Sequence, residues 1–178
     1  MPTLTQPMRQ DAAPDRKWGR IIVGVDDSSG GVAALRWAVG LARSQEVELV
    51  AVRAWALGLP QHGGRRHRRD GHHLVVLAFQ GNERRQAAAG LVRRTFGAAT
   101  GGLPADLDIR VETPEGDPGT ALANLAANPG DLVVVGTQGG HILKRLVHGS
   151  VGRYCSRHTS CPVVVVGPDQ QPGAGDWQ

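Results

Sequence analysis

Leu132-Val133-Val134-Val135-Gly136-Thr137-Gln138-Gly139-Gly140-His141-Ile142-Leu143-Lys144-Arg145-Leu146-Val147-His148-Gly149-Ser150 is the stretch on which the reading of this chain turns. Its four leading apolar residues show no polar alternation, which describes a strand buried on both faces of a parallel sheet. The strand ends at Gly136, and a glycine-containing loop leads through Gly149 and Ser150 into a helical pattern that reaches His158. In open α/β sheets, ligands bind beyond the carboxyl ends of strands, where the strand order reverses. Glycines at 136 and 139 permit tight turns and the close approach of a ligand. Free amides and the dipole at the start of the last helix favour a phosphate, and Ser150 adds a hydroxyl donor. Lys144 and Arg145 supply positive charge nearby.

Working outward, the same alternation of strand and helix recurs. Arg20 to Asp26 is an apolar run ending in acid and predicts the first strand. Ser28 and Ser29 are candidate N-caps for a helix over about 31–44, whose stripe is Val32, Leu35, Val39 and Ala42. Val47 to Trp55 predicts the second strand, and Ala88, Val92, Phe96 and Ala99 mark one face of a helix over 82–100. Leu107 to Thr113 reads as the third strand. Asp117 and Pro118 open a helix that runs to about Ala127, before Asn128-Pro129-Gly130 breaks it. Pro162 to Val166 is the fifth strand after the one at 132–135. This succession predicts an α/β fold: a three-layer, doubly wound domain on a five-stranded parallel sheet.

The domain expected is 18–168, between mobile tails at 1–17 and 169–178. Residues 56–81 fit least well and are read as a long loop or insertion. They hold His62, His67, His72 and His73, then Arg65, Arg66, Arg68 and Arg69, then the apolar run Leu74 to Phe79. That run must pack on the domain or on a partner. The histidine spacings match no zinc pattern, and both cysteines lie far away, so a solvated basic loop is expected. With Phe79 as the nearby aromatic, no stacking platform for nucleic acid is suggested, and nucleic acid is not an expected partner.

Composition bounds the rest. The chain has 178 residues, 40% hydrophobic and 20% charged, the balance of a globular domain rather than a disordered one. A net charge of +4 over this length permits anion contacts without arguing for nucleic acid. Two cysteines, Cys155 and Cys161, are too few for a disulfide scaffold and are expected to be reduced. No apolar run is long enough to span a membrane, and the N-terminus does not read as a secretory signal, so a cytoplasmic location is expected. The dinucleotide fingerprint and the P-loop are both absent. His148 stands where a nucleophile elbow needs glycine, so Ser150 reads as a cap or phosphate donor, not a nucleophile.

The spacing Gly136, two residues, Gly139, nine residues, Gly149, Ser150 resembles the ATP-binding motif of the universal stress protein family. The flanks resemble that family too: Val25-Asp26-Asp27-Ser28 its opening strand, Cys161-Pro162-Val163-Val164-Val165-Val166 its last. The resemblance implies strand order 3-2-1-4-5. It implies an adenosine end at Val25, Asp26 and Val52, a middle at Val135, Gly136 and Thr137, and a phosphate end at Gly139, Gly149, Ser150 and Val151. It implies ATP, or ADP or AMP, as ligand, and a homodimer through Val163, Val164, Val165 and Val166, a run that reads equally as an ordinary buried strand. Two positions depart from the family pattern. Asp27 replaces the usual glycine, and paired with Asp26 it could hold Mg²⁺ or Mn²⁺ beside phosphates or repel them. Gly152 replaces a hydroxyl residue and costs a phosphate contact.

The expected function is therefore an ATP-binding stress-response regulatory module, not an enzyme. Two alternatives stay open: a nucleotide-independent dimeric interaction protein, and a slow metal-dependent ATP hydrolase using Asp26 and Asp27.

Overall fold

The structure is a computed structural model that describes residues 18–56, 71–137 and 150–168, with the backbone alone for 71–79. Nine elements follow in chain order. They are β1 (Arg20–Gly24), α1 (Ser29–Gln45), β2 (Glu48–Val52), α2 (Gly71–Thr100), β3 (Ile109–Glu112), α3 (Pro118–Leu125), β4 (Asp131–Gly136), α4 (Ser150–His158) and β5 (Val163–Val166). The strands form one sheet in the order β3-β2-β1-β4-β5, and every pair is parallel. Both the α/β class and the strand order are as expected.

Alternation along each strand builds two cores. Ile21, Val23, Leu49, Ala51, Leu132 and Val134 face α1 and α2, where Leu35, Val39, Val92 and Phe96 cover them. Ile22, Val50, Val133 and Val135 face the other way, against Leu122 of α3 and Cys155 of α4. The central strands are thus buried on both faces, which is why they read as unbroken apolar runs. At their amino ends, Arg20 donates from Nε and Nη2 to the buried Asp131 carboxylate at 3.1 and 2.8 Å, joining β1 to β4. Asp117 caps α3 by accepting from the Thr120 amide at 3.0 Å, as the Asp117-Pro118 signature predicts.

Residues 71–81 correct the sequence reading. They are not loop: α2 begins at Gly71 and takes in the whole run Leu74 to Phe79. An apolar run of six carries no period, so strand, helix and loop cannot be told apart there without its continuation into the helical stripe. That stripe holds, since Ala88, Val92, Phe96 and Ala99 are all buried. Where the Leu74 to Phe79 side chains pack lies outside the described part of the structure. So do both tails and the Arg- and His-rich residues 61–70. The second strand is also shorter than predicted. It stops at Val52, and Trp55 forms an isolated bridge to Glu115.

Candidate functional site

The reversal of strand order falls between β1 and β4, and the chain leaving each strand is tied down locally. Beyond β1, the Val25 amide donates to the Val52 carbonyl at 2.8 Å. The Asp26 carboxylate accepts at Oδ1 from the Ser28 amide at 3.0 Å and the Ser28 hydroxyl at 2.5 Å. Ser28 Oγ in turn accepts from the Gly31 amide at 3.0 Å, which caps α1. Beyond β4, the Thr137 amide donates to the Val166 carbonyl at 2.8 Å.

A cleft of about 200 Å³ opens at this point. Its lining is Gly24, Val25, Asp26, Val52, Arg53, Ala54, Pro118, Leu122, Val135, Gly136 and Val151. The floor is apolar, with Val25, Val52, Leu122 and Val135 all nearly inaccessible to solvent. Asp26, with Oδ2 not engaged by Ser28, and Arg53 bring the charge. Val151, one residue past the exposed Ser150 at the start of α4, brings the amino end of that helix to the edge. An apolar floor with a few converging polar groups and a helix start alongside suits a ligand with a flat apolar part and an anionic part.

Of the residues named from the sequence, Val25, Asp26, Val52, Val135, Gly136 and Val151 converge on this cleft. Thr137 and Ser150 adjoin it without lining it. Asp27 is exposed and is not part of the lining. Gly139 and Gly149 lie outside the described residues. Among the described residues, no three His, Cys, Asp or Glu side chains group to hold a metal.

Two glycines also have packing reasons in the fold. Gly136 is glycine because the first turn of α1 presses on it: a Cβ there would collide with the backbone of Gly30. The close approach that demands glycine is thus made by the chain itself. A Cβ on Gly152 would lie 3.2 Å from Val135 and 3.3 Å from Val165, so this position faces the sheet. Gly24, Arg53, Ala54, Pro118 and Leu122 also line the cleft and are not among the residues the sequence names. For Arg53 a signal existed, namely a charge placed at the carboxyl end of an apolar parallel strand.

The sequence model of the Universal stress protein family matches residues 17–167. Among solved structures, the universal stress protein UspA from Lactobacillus plantarum is 20% identical, with 84% of this chain and 98% of that chain covered and a TM-score of 0.58. A universal stress protein family member from Burkholderia pseudomallei is 23% identical over 86% of this chain and 98% of that one, at a TM-score of 0.51. A universal stress protein solved in complex with cAMP is 23% identical over 84% and 97%, at 0.52. A search of curated proteins gives no match. The family match spans every element of the sheet and both sides of the cleft, and the solved structures share the fold, so the chain belongs to the universal stress protein family.

Proposed function

We propose that the cleft binds an adenine nucleotide, ATP foremost, and that the chain serves as a nucleotide-dependent regulatory module in the stress response. The observation that carries this reading is the pairing of an apolar floor at the β1/β4 reversal with the start of α4 beside it. The base and ribose lie on Val25, Val52 and Val135 near Asp26. The middle of the ligand passes Gly136 and Thr137. The phosphates meet the amides at Ser150 and Val151, together with Gly139 and Gly149. The cAMP complex of a family member supports a nucleotide as the ligand class.

Asp26 has committed Oδ1 to Ser28, and Asp27 lies outside the lining. A Mg²⁺ or Mn²⁺ ion is therefore proposed to arrive with the phosphates and to be held by their oxygens, without Asp26 and Asp27 as its ligands. The module acts by binding rather than by turnover, in the cytoplasm, as a homodimer through β5. Thermal unfolding with added nucleotide tests the reading. A ligand at about 100 times its dissociation constant stabilises the protein by about 2.7 kcal/mol. A raised midpoint with ATP, and adenine nucleotide released from freshly purified protein, are the expected results. No shift up to millimolar ATP would remove the nucleotide and leave a dimeric interaction protein.

A further inference from the structure

The cleft runs across the sheet from the end of β2, over β1, to β4 and the start of α4. Adjacent strands lie about 4.8 Å apart, so its β2 end and its β4 end are separated by roughly 10 Å. At the β2 end sits Arg53, half-buried. Its amide donates to the Glu112 carbonyl at 3.0 Å, which keeps its backbone beside β3. Its guanidinium reaches the other way, where Nη1 donates to the Val25 carbonyl at 3.3 Å. That carbonyl lies where the β1–β2 ladder stops. Among the described residues, the Val25 amide to Val52 carbonyl is the last backbone bond between the two strands.

An arginine has five N–H donors and no acceptor. Arg20, Arg43 and Arg110 each hold a carboxylate, at 2.8, 2.6 and 3.2 Å. Among the described residues, Arg53 has no carboxylate partner, and its side chain makes one hydrogen bond, to a neutral carbonyl. A half-buried planar cation with spare donors therefore stands at the end of the cleft opposite the α4 helix start. If the helix start takes the phosphates, what reaches Arg53 is the other end of the ligand.

We propose that Arg53 is a binding residue for the base of the nucleotide, its guanidinium donating in the plane of the ring to a ring nitrogen. This rests on the nucleotide reading above, with the base toward β2 and the phosphates toward α4, and adds to it a side chain that recognises the base. Val25 holds the guanidinium in place through its carbonyl, so the group meets the ligand already oriented.

The experiment is calorimetric titration of the full chain and its Arg53→Met variant with three probes: ATP, adenosine and inorganic tripolyphosphate. Methionine keeps much of the apolar stem and removes the donors and the charge. ATP and adenosine are expected to weaken by the same factor, about tenfold, as for loss of a charge-assisted contact. Tripolyphosphate binding is expected to stay unchanged. Loss for ATP and tripolyphosphate with adenosine unaffected would overturn the proposal, placing Arg53 on phosphate. Equal ATP binding by both proteins would overturn it while leaving the nucleotide reading intact. A parent protein that binds none of the three would overturn both. Arg53→Gln serves the same comparison if the methionine variant does not fold.

Discussion

Gly30 and Gly136, 106 positions apart in the chain, meet backbone to backbone where the first turn of α1 crosses the end of β4. A Cβ on Gly136 would run into the carbonyl of Gly30, and a Cβ on Gly30 would run into the carbonyl of Thr137. The contact draws the two chain exits of the β1/β4 reversal together, and the cleft opens beside it.

Gly30→Ala and Gly136→Ala are therefore expected to destabilise the fold through overpacking, by about 1–3 kcal/mol each. Gly40→Ala is the control, because a Cβ there meets nothing within 4 Å. In a helix interior it should be neutral or stabilising, by up to about 1 kcal/mol. Urea unfolding of the three variants measures this, and a Gly136→Ala protein as stable as the parent would refute the contact.

Cys155 supplies a pH dependence. Burial pushes its thiol up to about 11 from the ordinary value of 9.0, with nearby Cys161 adding to the rise. A thiol whose folded value is raised adds stability that is fully present below about pH 9 and is lost as pH climbs toward 11. The stability difference between the parent and Cys155→Ala should thus narrow by roughly 2–3 kcal/mol across that window. Chemical denaturation at pH 7, 9 and 10.5 checks it. At pH 8 the native thiol should also resist a disulfide reagent, and rapid modification would contradict the burial.

The β5 edge makes a different prediction. The Pro162 and Val166 carbonyls accept from β4, so the alternation of a strand turns residues 162, 164 and 166 toward β4 and the amides of Val163 and Val165 outward. Val165→Pro removes an outward amide that β4 does not use, a substitution an edge strand tolerates. Sedimentation should find the parent dimeric and this variant a folded monomer. A variant that stays dimeric would place the interface elsewhere.

What was legible in the sequence followed from local pattern. Ile21, Ile22 and Val23 announced a strand buried on both faces, and the Ala88-Val92-Phe96-Ala99 stripe found the buried face of α2. Asp117 before Pro118 located the α3 cap. The start of α2 has no sequence signal, because Leu74 to Phe79 is an unbroken apolar run with no period to read. The contact that also requires glycine at 136 has no local signal, because Gly30 lies in another segment. The place of Arg53 at the cleft is set by where β2 parts from β1, which no local pattern marks. Local chemistry thus marks the elements and six residues of the cleft, while the contacts between distant segments are set by the tertiary fold.

The central claim, a nucleotide in the cleft between β1 and β4, is tested most directly by calorimetric titration with ATP of the parent and of Val151→Glu. That substitution sets a carboxylate at the half-buried edge of the cleft, beside the start of α4. Saturable one-site binding by the parent, lost in a variant that still unfolds cooperatively near the parent's midpoint, is the result expected. Binding of equal strength by both proteins, or by neither, would contradict it.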